Sequence, residues 1–232
     1  MRLDKYVTLC TGMSRKEAKG VISSRRITVN DESVNRPEFQ VKENDIIMLS
    51  GDALSYQEYE YYMLNKPSGV VSATTDNRDT TVVDMLDGVS HKELFPVGRL
   101  DKDTEGLLIL TNDGALAHRL LSPKHHVDKV YEVSVDEELT SDDVEAFEQG
   151  MDIGEKRITT PAKLQPLSQC RGLVTIREGK FHQIKRMFEH QGKKVIGLKR
   201  IQMGSLVLDE NLPTGAYRSL TDAEIASLKG ME

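Results

Sequence analysis

Apolar positions recur at helical spacing in some stretches of this chain and at strand spacing in others, and each change of period marks an element. Leu3, Tyr6, Val7 and Cys10 stand at i, i+3, i+4 and i+7, the stripe of a short helix that Gly12 ends. Ser14 is followed three residues later by Glu17, with Ala18, Val21 and Ile22 in the next turns, so a capping box opens a second helix. Ile27-Thr28-Val29 before the Asn30-Asp31 turn, and Ile46 to Leu49 after Asn44-Asp45, read as strands. The first 52 residues therefore form a compact αα-plus-β module, residues 53–58 a small polar linker, and residues 59–232 a second domain.

In the second domain Tyr59, Tyr61 and Met63 alternate with polar neighbours until Asn65-Lys66-Pro67-Ser68-Gly69 stops the strand. Strand character returns at Gly106 to Leu110, Tyr131 to Val135, Leu173 to Ile176 and Ser205 to Leu208. Helices are predicted at Gly114 to Leu121, Thr140 to Gln149 and His182 to His190. Without a strict βαβ alternation the class is α+β. A hydrophobic share of 38% is enough for a folded core, and no stretch approaches the roughly 18 apolar residues of a membrane span. With no apolar leader at the start, the protein is expected to be cytoplasmic. Cys10 and Cys170 lack CxxC spacing and read as apolar fillers.

The net charge of −6 argues against a uniformly basic polyanion binder. The charge is nevertheless uneven. Arg2, Lys5, Arg15, Lys16, Lys19, Arg25 and Arg26 face only Asp4 and Glu17 within residues 1–30. A second basic island runs from Arg177 to Arg200, with Lys180, Lys185, Arg186, Lys193, Lys194 and Lys199 against Glu178 and Glu189, and with Phe181 inside it. Cations for phosphate and an aromatic for stacking are the parts of an RNA-binding surface. Residues 132–155 hold acids and no Lys or Arg, so the acidity gathers there, on a segment expected to face away from RNA.

Phosphate-loop, GxGxxG, HExxH and GxSxG signatures are absent, and no cofactor is expected. His118, His125 and His126 lack ligand-spaced acidic or cysteine partners, so no metal is expected either. The densest polar segment is Gly98-Arg99-Leu100-Asp101-Lys102-Asp103-Thr104-Glu105-Gly106, a loop opening onto the apolar run Leu107 to Leu110. A loop held by a buried strand can position a reactive carboxylate, although Asp101 and Asp103 could equally bond a turn's own backbone.

GRLDKDTEGLLILTNDG resembles the hallmark motif of RNA pseudouridine synthases, and NKPSG at 65–69, KVYEV at 129–133 and EGKFHQIKRMF at 178–188 follow that superfamily's order. MRLDKY and SRKEAKGVISSRRITVN resemble the opening of an S4-type RNA-binding domain. Together they resemble the RsuA family of ribosomal RNA pseudouridine synthases. The resemblance implies an S4-like module followed by a mixed, largely antiparallel-sheet catalytic domain. It also implies an isomerase that breaks the C1′–N1 bond of a uridine, turns the uracil and joins C5 to C1′.

By the same resemblance Asp101 is the catalytic aspartate, attacking the ribose carbon or removing a ribose proton. Lys185 is its ion-pair partner, with Arg186 as fallback, and Tyr131 stacks on the uracil and assists loss of the C5 proton. Arg99 helps take the uridine from its stack, Leu198 lines the uracil pocket, and Asn65 and Lys66 support the loop or bind backbone phosphate. Arg2, Lys5, Arg15, Lys16, Lys19, Arg25, Arg26, Lys180 and His182 are expected to contact RNA. The partner implied is ribosomal RNA, free or in an assembling small-subunit particle, acted on by a monomer. A large-subunit target, a catalytically silent RNA binder, and a glycosidase pairing Asp101 with Asp103 are the competing readings.

Overall fold

Leu3–Thr11 forms helix α1 and Arg15–Ser23 helix α2 in a computed structural model that describes residues 1–42, 44–56, 58–87 and 93–230. Gly12 ends α1 at φ 72°, a left-handed conformation that costs glycine little, and its amide donates to the Thr8 carbonyl. Ser14 Oγ accepts from the Glu17 amide, and the Glu17 carboxylate accepts from the Ser14 amide, so the capping box satisfies two otherwise orphaned donors. Strands β1 (Ile27–Val29), β2 (Glu32–Ser33), β3 (Ile47–Leu49) and β4 (Asp52–Leu54) make an antiparallel sheet in the order β2-β1-β3-β4. Asn30 and Asp31 both take positive φ, 50° and 66°, as a two-residue hairpin turn of type I′ requires. Leu3, Val7, Ala18 and Ile22 from the helices and Ile27, Val29 and Ile47 from the sheet bury one small core.

The linker expected at 53–58 opens as structure instead. Residues 53 and 54 belong to β4, which pairs with β3, and the Tyr6 hydroxyl donates to the Leu54 carbonyl at 2.9 Å. Of the remainder, Gln57 lies outside the described residues. The chain divides into Met1–Glu58 and Tyr59–Glu232.

The second unit is built on β5 (Tyr61–Lys66), β6 (Phe95–Pro96), β7 (Glu105–Thr111), β8 (Lys129–Val135), β9 (Lys163–Ser168), β10 (Arg171–Ile176), β11 (Val195–Met203), β12 (Leu206–Val207) and β13 (Tyr217–Ser219). Their order across the sheet is β13-β5-β7-β11-β8-β10-β9, with β6 on β7 and β12 on β11. Among these strands, within the described residues, β7 and β11 pair in parallel and the other pairings are antiparallel. Alternation along the central strands gives each face its own core. Leu64, Leu108, Leu110, Tyr131 and Val133 pack with Phe147 of helix α4 (Ser141–Gln149) and with Ile184, Met187 and Phe188 of helix α5 (Gln183–His190). Tyr61, Met63, Leu107 and Ile109 pack with Leu116 and Leu120 of helix α3 (Gly114–Leu121) and with Leu228 of helix α6 (Asp222–Lys229). Cys170 packs against the first of these cores and both cysteines are half-buried.

One row of residues across the sheet positions the site. Lys66 pairs with Gly106, Gly106 with Arg200, and Arg200 with Tyr131. Gly106 has φ 98°, and a Cβ there would collide with the Arg200 carbonyl oxygen, so glycine is what lets β7 and β11 close up just below the polar loop.

Candidate active site

The 101–104 loop is held through its own backbone groups. The Leu100 amide donates to Ser72 Oγ at 3.0 Å, and that hydroxyl donates back to the Leu100 carbonyl at 2.8 Å. The Thr104 amide donates to the Asp101 carbonyl at 3.1 Å, and the Gly69 amide to the Lys102 carbonyl at 2.7 Å. Beneath it the fully buried Lys66 ammonium donates to the carbonyls of Pro67 (3.0 Å), Lys102 (3.2 Å) and Thr104 (2.8 Å). Its three N–H donors meet three acceptors, so no donor is left over for a phosphate. Burial brings its pKa down to about 8, although Asp103, Asp101 and Glu105 nearby favour the charged form.

From α5, Lys185 Nζ reaches Asp101 Oδ2 at 3.0 Å and Asp103 Oδ1 at 2.6 Å. Burial pulls the Lys185 ammonium down, but its hydrogen bonds to the two carboxylates outweigh that and its pKa is raised. The same hydrogen bond from Lys185 lowers the pKa of Asp103. A glycosidase would need one of its paired acids kept protonated near neutrality, and Asp103 is shifted in the opposite direction. His182 Nε2 stands 3.6 Å from Asp101 Oδ1, outside hydrogen-bond range.

Asp101, Lys185 and His182 open onto a cleft that Arg99, Thr104, Tyr131 and Leu198 also line. Tyr131 on β8 is buried, Leu198 on β11 is half-buried and Arg99 is exposed. Three separated motifs of the sequence thus meet in one cleft, lined by Asp101, Tyr131 and Lys185. A charged nucleophile or base, a cation beside it and an aromatic wall can together hold a flat heterocycle against a carboxylate.

Several expected contacts fall elsewhere. Arg186 is not a second counter-ion for Asp101, because its guanidinium donates to Glu155 at 3.0 Å and to the Phe181 carbonyl at 3.2 Å. Successive helix residues point about 100° apart, and only Lys185 meets the loop. Asn65 and Lys66 are both buried, and the Asn65 side-chain Nδ2 donates to the Leu212 carbonyl at 2.8 Å, so their role is internal rather than substrate-binding. Lys180 is committed to the carbonyls of Arg157 (2.8 Å) and Ile158 (2.9 Å). Arg177 pairs with Asp128 and Lys193 with Asp143, and the buried Arg200 donates to the Leu107 carbonyl. The second basic island is therefore largely neutralised within the fold.

The N-terminal island differs. Lys5, Arg15, Lys16, Lys19 and Arg25 are exposed, while Arg2 pairs with Asp4 at 2.8 Å and Arg26 donates to Ser50 Oγ at 3.0 Å. The acidic segment is not wholly remote from the site, since Glu132, paired with Arg171, lines a second hollow with Asp103 and Lys185. Ser72 and Thr104 were missed as loop and cleft residues. Thr104 lay within the dense motif, whereas nothing in the sequence marks Ser72. Among the described residues no group of His, Cys, Asp and Glu is placed to hold a metal ion.

A family model for RNA pseudouridylate synthases matches residues 60–190, and one for S4 domains matches residues 1–47. The chain is 42% identical over 229 residues to the ribosomal small subunit pseudouridine synthase A of Vibrio cholerae, covering 98% of this chain and 99% of the relative. It is 40% identical over 230 residues to the Escherichia coli protein of that name, covering 98% and 100%. An uncharacterized RNA pseudouridine synthase of Bacillus subtilis, YtzG, is 43% identical over 235 residues, covering 97% of each. A crystal structure of a pseudouridylate synthase superposes with a TM-score of 0.70 at 39% identity, covering 98% of this chain and 99% of that one.

Proposed function

The chain belongs to the RNA pseudouridylate synthase family, and from that premise we propose that it converts a uridine of small-subunit ribosomal RNA, uridine 516, to pseudouridine. The observation that carries the chemical part is Asp101 paired at 3.0 Å with Lys185 inside a cleft walled by Tyr131 and Leu198. Support for the target comes from relatives that match over nearly their full length and are named for the small subunit.

In this reading the Lys185 ammonium, 3.0 Å from Asp101 Oδ2, supplies the positive charge beside the reacting carboxylate and fixes its direction. Asp101 then either attacks C1′ or removes a ribose proton, and the C1′–N1 bond breaks. The freed uracil turns against the Tyr131 ring with Leu198 at its edge, C5 joins C1′ as Asp101 is displaced from that carbon or hands the ribose proton back, and the C5 proton leaves as N1 gains one. The reaction is an isomerisation, so atoms balance without a co-reactant. Lys66 acts from within by fixing the loop, while Asn65 ties its strand to the 212–216 segment. Carbodiimide treatment and primer extension on ribosomal RNA from cells with and without the gene test the target. Loss of one stop, at uridine 516, is expected on deletion. A stop that persists there, or a loss confined to large-subunit RNA, rejects the assignment.

The N-terminal module is proposed to supply most of the grip on phosphate, since its cations are exposed while those of the second island are engaged internally. Reversing Arg15, Lys16 and Lys19 to Glu should weaken RNA binding by about tenfold or more and flatten its log–log salt dependence by about one unit for each cation withdrawn from phosphate. Glu137, Glu138 and Glu148 are also exposed, and their reversal to Lys should change affinity far less. Equal effects of the two sets in a salt titration by fluorescence anisotropy would refute this division.

A further inference from the structure

Phe181 is 71% exposed, an unusual position for a phenylalanine beside an enzyme's cleft. Its ring lies on the His182 imidazole with centroids 3.8 Å apart and planes 18° from parallel. His182 takes φ 49° and ψ 33° just before α5, a left-handed conformation rare for a residue with a side chain. That turn of the backbone lays two consecutive rings face to face, where neighbours in a regular helix would diverge. Strain of this kind persists only where surrounding contacts impose it. Those contacts are present. Arg186 holds the Phe181 carbonyl, Lys180 is tied to Arg157 and Ile158, and the Lys180 amide donates to the buried Gln183 side chain at 3.0 Å. Gln183 in turn donates to Glu178 at 3.0 Å. The segment that carries the rings is therefore fixed from inside by the very groups that composition alone would assign to phosphate.

His182 belongs to the wall of the Asp101 cleft, so the stack starts at the reacting carboxylate and ends on a ring open to solvent. We propose that Phe181 and His182 form a stacking platform for an RNA base next to the target uridine, taking over the stacking that the base loses when the uridine is withdrawn into the cleft. The occupant is a nucleobase in single-stranded or opened RNA. Aromatic faces accept any base, so the platform adds affinity and position rather than sequence choice. Withdrawing a nucleotide costs stacking energy, and a rigid ring at the cleft mouth returns part of it. Phe181 acts here as a positioning residue.

The proposal rests on the reading of the chain as an RNA modifier. Its test uses the full chain with Phe181→Ala, Phe181→Leu and Phe181→Trp, a 5-tritiated-uridine transcript of small-subunit ribosomal RNA for turnover, and fluorescence anisotropy for RNA affinity. Phe181→Ala and Phe181→Leu should raise KM and Kd by roughly tenfold or more, the loss of one stacked base. Their kcat should stay within about threefold, and Phe181→Trp should restore affinity. Leu serving as well as Trp, Ala behaving as the parent, or a loss confined to kcat would overturn the platform. Should the parent chain release no tritium, the functional reading fails by itself. The platform would still be judged by the Kd of Phe181→Leu against that of Phe181→Trp.

Discussion

Asp101→Asn leaves RNA bound and stops turnover, with tritium release from 5-tritiated uridine falling by about 10³-fold or more. The amide keeps the size of the side chain but can neither add to the ribose carbon nor take up a proton, whichever of those steps Asp101 performs. The local fold should survive the change. Lys185 loses one carboxylate but keeps Asp103 at 2.6 Å, so its ammonium is not stranded. The loop is shaped by the Leu100, Lys102 and Thr104 backbone and not by the Asp101 carboxylate. Removing a negative charge from a surface that meets phosphate should hold RNA affinity or raise it slightly. A variant that binds as the parent does and releases tritium at the parental rate would remove Asp101 from the chemistry. Loss of binding together with activity would mean that the residue shapes the surface instead.

The parts of this fold legible in the sequence are those where one local rule acts alone. Gly12 and the Ser14–Glu17 box announced the boundary between α1 and α2 because caps depend on a few adjacent residues. Strand β7 was legible because it is buried on both faces and reads as an unbroken apolar run. Its central neighbour β11 was not. The pairing of β11 with β8 slips between Val195 and Gly197 and again between Arg200 and Gln202, which breaks the two-residue period that reveals a strand. Its Lys199 and Arg200 read as part of a basic surface, whereas Arg200 is buried and serves the Leu107 carbonyl.

Lys180 and Arg186 illustrate the same limit at the site, since composition counts cations but not the direction they face. The family motifs named the residues that meet around Asp101. What sequence could not give is the division of labour among the cations: one at the carboxylate, one under the loop, and others bracing the turn that displays Phe181. The helix at Asp222–Lys229 is a different kind of omission. Its Thr221–Glu224 capping box is as readable in the sequence as that of α2.

Lys66 is where that division of labour should show most clearly, because its ammonium is the internal support of the catalytic loop. Lys66→Met removes the donor from three carbonyls, of which that of Lys102 keeps the Gly69 amide, at a cost of about 2 kcal/mol when each group left without a partner costs about 1. Denaturant unfolding should register that loss. Activity should fall by about 10²-fold, the order expected when a reacting group is misplaced by about 1 Å, but unlike Asp101→Asn the variant should retain measurable turnover. The pH dependence separates support from chemistry further. Burial places the folded pKa of Lys66 at about 8, below the ordinary 10.5. Between those values the unfolded chain holds the proton that the folded chain has released, so the Lys66 contribution to stability rises with pH across that window. Activity should move the other way. Once the ammonium loses a proton it has two donors for three carbonyls, and the loop around Asp101 loosens. The parent enzyme should therefore lose rate above about pH 8 while its unfolding free energy does not fall, and Lys66→Met, already lacking the donor, should show no such limb. An alkaline limb unchanged in Lys66→Met would show that the loop does not depend on the charge of Lys66.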